Sequence, residues 1–399
     1  KLDAIVRIMR ENMSGIRVVK ALTKEESEKK RFAQANADMM DSDIRAATLM
    51  AVPGPFMQLC LNAGLTAVVY FGAVRVNQGL LKPGVILAFL TYFNMIAMGI
   101  MGLTRIFMTM SKATASADRI DAVLQTPAGQ EVLPQEEDGS VDGEAPFVSF
   151  EHVSFSYGAA SDDAEGFRGE QREKALSDIS FTLKRGESLG IIGPTGCGKT
   201  TIILLMLRFY DPDEGVIRVD GRDIRTYDPS ELRKKFGAAF QNDIIFQDTL
   251  LENIVFGRET DERRVRDAVE HAQAAEFIDS LPEGLSYEAS IRGGNLSGGQ
   301  KQRILVARAL AADPEILILD DSSSALDYRT DARMRKAILA GHPEAALVLI
   351  AQRVSSVMHM TRVLVLEDGK CIGYGTHEEL LENCPPYLET FRVQMGDMN

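Results

Sequence analysis

Two apolar stretches, residues 55–76 and 83–104, constrain the fold of this 399-residue chain more than any other feature. The first stretch contains a single charged residue, Arg75, and the second contains none. Each stretch is about 22 residues long, which as a helix spans the roughly 30 Å hydrocarbon core of a bilayer. Both stretches are therefore predicted to be transmembrane helices.

The short segment between the two stretches contains turn-forming residues. Gly79, Pro83 and Gly84 fall within nine residues of one another, which predicts a tight turn and two antiparallel neighbouring helices. A buried helical hairpin in a large soluble core is the alternative. The polar residues Gln58, Asn62 and Asn94 within the stretches give that alternative some support.

Charge and cysteine content limit the possible partners and the compartment. A formal net charge of −13 provides no overall positive field for a phosphodiester backbone, so nucleic acid is not an expected partner. The four cysteines show no CxxC or histidine-flanked spacing, which indicates free thiols in a reducing compartment. They are Cys60, Cys197, Cys371 and Cys384.

The remaining pattern divides the chain into two domains. Residues 1–125 read as helices, polar at first and then apolar, and residues 126–146 are rich in Gly, Pro and acids, as is typical of a linker. From residue 147 the pattern changes to short alternating strands, which predicts a second domain over residues 147–399. The polar segment 157–174 is predicted to be a surface insertion between two strands.

A phosphate-binding loop is the strongest chemical signal in the second domain. Residues 193–201, GPTGCGKTT, follow a short apolar strand and precede a predicted helix. Glycines let backbone N–H groups converge on phosphate oxygens, and the helix N-terminus adds partial positive charge. Lys199 is expected to reach the outer phosphates, and the Thr200 hydroxyl is expected to bind Mg²⁺.

An acid follows a run of four aliphatic residues. Residues 316–319 are all aliphatic, as in a parallel strand buried on both faces, and Asp320 ends the run. A carboxylate at the carboxyl end of such a strand is well placed to hold a Mg²⁺ ion beside the phosphate loop.

A second glycine motif, LSGGQ at residues 296–300, opens another predicted helix. Ser297 and Gly298 would form an anion site there for the same physical reasons. One nucleotide per chain would leave this second site unused, unless it contacts a nucleotide held by another chain.

Together these motifs resemble the ATP-binding cassette exporters over essentially the whole chain. In this resemblance Gln241 is the Q-loop residue and a metal ligand with Thr200 and Asp320, and Tyr157 is the aromatic residue that stacks on adenine. The resemblance implies a multi-domain fold, in which a partial all-α transmembrane domain with two spans precedes an α/β P-loop nucleotide-binding domain. It assigns ATP-binding roles to Tyr157, Gly193, Thr195, Gly196, Cys197, Gly198, Lys199, Thr200 and Thr201, signature roles to Leu296, Ser297, Gly298, Gly299 and Gln300, D-loop roles to Ser324, Ala325, Leu326 and Asp327, and coupling roles to Gly15, Ile16, Arg17, Val18 and Val19.

The resemblance also implies a dimer of half-transporters. Two ATP molecules with Mg²⁺ would be held between the phosphate loop of one chain and the signature motif of the other. Residues 1–125 would contain the second intracellular coupling segment and the last two membrane helices, with four earlier spans outside this chain. The protein is then expected in a membrane, contacting lipid, with its nucleotide-binding domain in the bacterial cytoplasm.

Two positions depart from the pattern of hydrolytically active cassettes. Asp321 stands where these carry a glutamate that polarises the attacking water, and its carboxylate should lie about 1.5 Å further back. Gln352 stands where they carry a histidine, and an amide cannot carry a positive charge. Ile291 stands near where exporters often carry a glutamate before the signature.

Because the binding motifs are intact while Asp321 and Gln352 are both altered, the pattern resembles the degenerate half of heterodimeric exporters. The partner would supply its own catalytic glutamate and histidine. A homodimer in which Asp321 acts as a slow base is the alternative. A soluble cassette ATPase and a gate driven by ATP binding alone are hypotheses of other classes, and the cargo is left open between drugs, lipids and peptides.

Overall fold

The computed structural model describes residues 2–126, 129–134, 146–158, 174–241, 243–321 and 325–396. The chain divides into two compact units, residues 1–127 and 128–399. Most of the predicted linker 126–146 and of the predicted insertion 157–174 lies outside the described residues.

The described part of the first unit is entirely helical. Its helices are α1 (Leu2–Ser14), α2 (Ile16–Ala21), α3 (Glu25–Ala51), α4 (Pro53–Asn77) and α5 (Pro83–Gln125). The two predicted spans thus fall within α4 and α5. Two stretches among the described residues are long and apolar enough to cross a membrane, Glu25–Asn77 and Pro83–Ile100, with mean hydropathies of 1.6 and 1.7 over their apolar windows. No residue in either window is buried within the chain, whereas a soluble core helix would be mostly buried.

Helices α4 and α5 are antiparallel neighbours, as the turn signals predicted. A Cβ atom on Gly64 would lie 3.2 Å from the Phe93 ring, and one on Gly72 would lie 3.0 Å from Ile86. The pairs run in opposite directions along the two helices. The absence of side chains at the two glycines is therefore what lets α4 approach α5 closely.

The second unit is an α/β domain with two sheets. One sheet has the order β2-β1-β4-β5 and the other has the order β10-β9-β3-β8-β7-β6. The strands are β1 (Val148–Phe155), β2 (Leu176–Leu183), β3 (Ser188–Ile192), β4 (Glu214–Val219), β5 (Arg222–Asp223), β6 (Phe236–Ala239), β7 (Ile316–Asp320), β8 (Ala346–Ile350), β9 (Arg362–Glu367) and β10 (Lys370–Gly375).

Helices cover the larger sheet and extend from its strand ends. They are α6 (Lys199–Met206), α7 (Pro229–Lys234), α8 (Leu250–Val255), α9 (Glu262–His271), α10 (Ala275–Asp279), α11 (Gly298–Leu310), α12 (Tyr328–Gly341), α13 (Val354–Val357), α14 (His377–Asn383) and α15 (Pro385–Met395).

The central strands of the larger sheet are buried on both faces. All five residues of β7 are buried, as the run of aliphatic residues predicted. Ile316 and Ile318 pack into one hydrophobic cluster with residues of the smaller sheet and α6. Leu317 and Leu319 pack into a second cluster with α8, α9 and α11. Successive side chains of β7 point to opposite faces of the sheet, so the strand packs against the hydrophobic clusters on both faces.

Parallel pairing brings the ends of four strands to one edge. Strand β3 pairs with β8, β8 with β7, and β7 with β6, all in parallel. The segments that follow these strands therefore leave the sheet at the same carboxyl edge, where ligands bind in open α/β sheets.

Candidate functional site

The phosphate loop follows β3 directly and is shaped by two glycines. A Cβ atom on Gly193 would lie 2.2 Å from the Leu366 carbonyl oxygen, so no side chain fits there. Gly198 caps α6 in the left-handed region with φ 98°, and a Cβ on it would lie 2.6 Å from Leu176. Lys199 Nζ donates to the carbonyl oxygens of Gly193 and Pro194, each at 2.7 Å. The loop carbonyls thus hold the ammonium group at the loop.

Tyr157 lies beside α6 through its hydroxyl group. Its Oη is 3.0 Å from Oγ1 of Thr201, a buried residue, and its ring meets the ring of Tyr210 edge-on at 5.5 Å between centroids. The tyrosine is 49% exposed, so part of its ring surface is accessible for stacking. Both Tyr157 and Thr201 were predicted to bind ATP, but the contact between their hydroxyl groups could not be predicted and is seen only in the fold.

Asp320 and Thr200 form a set of hard oxygen donors. Thr200 Oγ1 donates to Asp320 Oδ2 at 3.2 Å. Burial raises the pKa of Asp320, the hydrogen bond from Thr200 acts against that rise, and the charge of Asp321 adds to it. Hydroxyl, carboxylate and amide oxygens suit Mg²⁺, which keeps several waters and binds substrate phosphates with few protein ligands. Among the described residues no group of three His, Cys, Asp or Glu could hold a metal ion.

The Asp321 carboxylate accepts hydrogen bonds from two other segments of the site. Gln241 Nε2 donates to its Oδ2 at 3.0 Å, and Gln352 Nε2 donates to the same oxygen at 2.9 Å. Three segments that follow β6, β7 and β8 are thereby joined at one carboxylate oxygen. The pKa of Asp321 is raised by burial. The hydrogen bond from Gln352 and the charges of Lys199 and Arg353 offset only part of this rise.

The backbone at Asp321 is unusual. Its φ is 47°, in the left-handed region, and its N–H donates to the Ile350 carbonyl oxygen at 3.0 Å. Aspartate is one of the few residue types with a side chain that tolerates this region well. The conformation turns the chain sharply at the end of β7.

The signature motif begins α11 with a complete capping box. The Ser297 side chain accepts from the Gln300 N–H at 3.3 Å, and the Gln300 Oε1 accepts from the Ser297 N–H at 2.8 Å. A Cβ on Gly298 would lie 3.3 Å from Cβ of Ala325, and one on Gly299 would lie 3.1 Å from the Ala325 carbonyl oxygen. The glycines therefore let the D-loop of the same chain pack on the start of α11, and Leu296 before them is buried.

Asp327 acts as a helix cap in this structure. Its Oδ1 accepts from the N–H groups of Arg329 and Thr330 at 3.1 and 3.0 Å, and these bonds lower its pKa. Leu326 beside it is buried. The predicted D-loop residue Ser324 lies outside the described residues.

The predicted coupling residues lie at the start of α2 in the first unit. Gly15 is the N-cap of α2, and Ile16 and Val18 on it are 49% and 61% exposed. Arg17 is also exposed, while Val19 is half-buried. Ile291 in the second unit is 71% exposed.

Sequence reasoning missed three residues around the site. The Ala325 N–H donates to Oε1 of Gln302 at 2.9 Å, Arg353 acts electrostatically on Asp321, and Gln394 bonds the segment that carries Gln352. Gln302 lies four residues after Gly298, and this helical spacing was a usable signal. Gln394 carries no signal in the sequence because its partners are about forty residues away.

Two protein families match the chain. The ABC transporter transmembrane region matches residues 1–101, and the ABC transporter family matches residues 176–324. An uncharacterised ABC transporter ATP-binding protein of Mycobacterium tuberculosis is 34% identical over 392 residues, 97% of this chain and 65% of the relative. An ATP-dependent lipid A-core flippase of Desulfotalea psychrophila is 34% identical over 395 residues, 98% of this chain and 66% of the relative.

Two further similarities are informative. A probable multidrug resistance ABC transporter ATP-binding/permease protein of Bacillus subtilis is 34% identical over 385 residues, 96% of this chain and 63% of the relative. The structure of a bacterial Atm1-family ABC exporter with ATP bound is similar with a TM-score of 0.81 and 28% identity, covering 98% of this chain and 67% of that one. The chain thus spans about 65% of the length of the curated relatives it matches.

Proposed function

The chain belongs to the ABC transporters that join a transmembrane region to an ATP-binding domain, and from this premise we propose that it is one half of a heterodimeric exporter. Its own site binds ATP with Mg²⁺ and hydrolyses it slowly or not at all. Its signature motif completes the active site of a different half-transporter, which carries the catalytic glutamate and histidine.

Family membership establishes the architecture and the cellular location. The predicted fold class, a helical transmembrane region followed by an α/β nucleotide-binding domain, is confirmed by the two family matches and by the Atm1-family neighbour. The predicted localisation is also confirmed: this is a membrane protein with a cytoplasmic nucleotide-binding domain and bacterial homologues.

The single observation that carries the proposal is the pair of amides on Asp321. Gln241 and Gln352 donate to one oxygen of this short carboxylate at 3.0 and 2.9 Å. A general base must accept a proton from water at about 2.6–3.2 Å, and Oδ2, which already accepts two amide hydrogens, is poorly available for that, so this short side chain would have to use Oδ1. Gln352 itself offers a neutral amide where a cation would stabilise developing phosphate charge.

The binding half of the site is intact, which supports retained affinity for ATP. Lys199 is held at the phosphate loop, and Thr200 and Asp320 lie 3.2 Å apart as oxygen donors for Mg²⁺. Bound Mg²⁺ would neutralise charge on the outer phosphates. Tyr157 would orient the adenine through its accessible ring surface.

The signature motif is suited to serve a second nucleotide. Ser297 and Gly298 are exposed on this chain at the start of the 13-residue helix α11. The Gly298 backbone N–H and the helix dipole favour a phosphate oxygen there, while the Ser297 N–H is engaged by Gln300. This supports a role for the motif at the partner's nucleotide.

An amphipathic cargo agrees with the first unit and with the relatives. Met95, Met98, Tyr92 and Phe89 on α5 are all more than half exposed within this chain. Flexible thioethers and aromatic rings adapt to varied apolar ligands. Two of the relatives, a lipid A-core flippase and a probable multidrug resistance transporter, support a lipid-like or drug-like molecule as the cargo.

The homodimer alternative has one observation in its favour. Burial raises the pKa of Asp321, and a higher pKa makes a carboxylate a stronger base. In that case the full-length chain alone would hydrolyse ATP with Asp321 as base.

ATP turnover of the full-length chain distinguishes the two proposals. The chain is purified alone and together with a candidate partner half-transporter. We expect negligible turnover alone and strong turnover in the pair, lost when the partner's catalytic glutamate is replaced by glutamine. Robust turnover of the chain alone that disappears in Asp321→Asn would contradict the heterodimer proposal.

A further inference from the structure

The start of helix α13 lacks a local cap. Val354, its first residue, is fully buried, and the N-cap residue Arg353 provides no side-chain hydrogen bond. The first N–H groups of a helix have no partner within the helix, so a buried one needs a partner from elsewhere. The Val354 N–H donates to Oε1 of Gln394 at 2.7 Å.

The same side chain also bonds the other side of the turn. Nε2 of Gln394 donates to the carbonyl oxygen of Gln352 at 3.0 Å. One amide thus satisfies a donor and an acceptor on the two sides of Arg353, which a glutamine can do because it carries both groups. The side chain of Gln352 in turn donates to Asp321.

Gln394 is carried by a helix that is itself fixed in the domain. Tyr387 on α15 is 1% exposed, and its hydroxyl group lies 2.8 Å from Nδ1 of His377. A cavity of about 320 Å³ separates the phosphate loop from this helix, with Gln352 and Gln394 both in its wall. Val354 packs in the hydrophobic core, but Gln352 borders open space, so hydrogen bonds are needed to hold its end of the turn.

We propose that Gln394, on helix α15, is a positioning residue that fixes residues 352–354 and thereby holds Gln352 against Asp321. This inference deepens the proposed function and rests on it only for the consequence on nucleotide binding. The helix near the carboxyl end of the chain therefore sets the geometry of the nucleotide site.

Amide hydrogen exchange in the nucleotide-free, full-length protein tests the proposal. Gln394→Met preserves the shape but removes both bonds, and we expect exchange at the Val354 amide to rise at least about fivefold. Gln394→Glu keeps the acceptor, so it should restore protection of that amide while the bond to the Gln352 carbonyl stays lost. Val393→Ala, at a neighbouring residue that is 79% exposed, is the matched control and should change exchange less than about twofold.

A second readout connects the turn to the site. We expect Gln394→Met to weaken MgATP binding by about threefold and to lower the melting temperature by roughly 2–4 °C, because the buried Val354 N–H loses its partner. Unchanged exchange at Val354 in Gln394→Met would overturn the proposal, and so would raised exchange with unchanged MgATP affinity. Hydrogen exchange is measured without nucleotide and does not depend on hydrolysis. If the chain alone proved to hydrolyse ATP through Asp321, the proposed function would be contradicted, but the exchange result for Gln394 would still stand.

Discussion

Replacing Asp321 by glutamate should partly restore hydrolysis at this chain's own site. The carboxylate of Asp321 lies 3.0 and 2.9 Å from two amide nitrogens, which hold it at the sheet edge. One additional methylene advances the carboxylate by about 1.5 Å. The longer side chain should also move the carboxylate away from the Gln241 and Gln352 amides.

The magnitude follows from the sensitivity of positioned reactions. A misplacement of about 1 Å costs about a hundredfold in rate, so Asp321→Glu should raise turnover at this site by up to about a hundredfold. Gln352→His in the same chain should add to the gain, because an imidazolium can stabilise charge on the transferred phosphoryl group. The left-handed φ of 47° suits aspartate better than glutamate, and we expect Asp321→Glu to cost about 1 kcal/mol of stability.

The assay isolates this site within the assembled complex. The full-length chain is paired with a partner in which the catalytic glutamate is replaced by glutamine, and steady-state phosphate release is measured. Asp321→Asn is the matched control, since it removes the charge at nearly constant volume and should leave the low rate unchanged. A rate that falls at least about tenfold in Asp321→Asn and does not rise in Asp321→Glu would refute the reasoning, because Asp321 would then already be a working base.

Three further predictions follow from contacts of the second unit. Lys199→Ala should weaken binding of a fluorescent ATP analogue at least about tenfold, since it removes the cation of the phosphate loop, whereas an unchanged affinity would disprove that role. Arg308→Met should lower the free energy of unfolding by about 2–4 kcal/mol, because the buried guanidinium donates to the Ile244 and Asn253 carbonyl oxygens at 3.0 and 2.7 Å; chemical denaturation measures this, with exposed Arg329→Met as the control. Burial raises the pKa of Tyr387 to about 12, so its ionisation occurs first in the unfolded chain and stability should fall by about 2 kcal/mol between pH 10 and 12. Denaturation at several alkaline pH values should show a shallower loss in Tyr387→Phe, and an equal slope would contradict this.

Local patterns were sufficient for the elements and motifs of the site. Residues 193–201 predicted a phosphate loop because glycine spacing and a following helix are local properties, and the loop does join β3 to α6. The aliphatic run at 316–319 predicted a strand buried on both faces, and β7 is one. The turn signals at residues 79–84 predicted antiparallel helices, which α4 and α5 are.

Asp327 was predicted to act in the D-loop, and in the structure it also caps α12. Its position directly before a helix is a local signal for that second role.

Contacts between distant residues could not be predicted from local patterns. The bond between Tyr157 and Thr201 joins residues 44 positions apart. No periodicity links such positions, because their distance depends on how the two sheets pack.

Residue patterns alone predicted that two apolar helices precede a phosphate-binding α/β domain, and the family resemblance added the expectation that Asp321 and Gln352 stand in place of a glutamate and a histidine. These properties depend on residue type and short-range spacing. The packing of the domain, by contrast, brings Gln241 and Gln352 to one oxygen of Asp321 and places the Gln394 amide against the turn beside them. Parallel strands bring residues far apart in sequence to a single sheet edge, and the atoms that meet there depend on the register and packing of the whole domain.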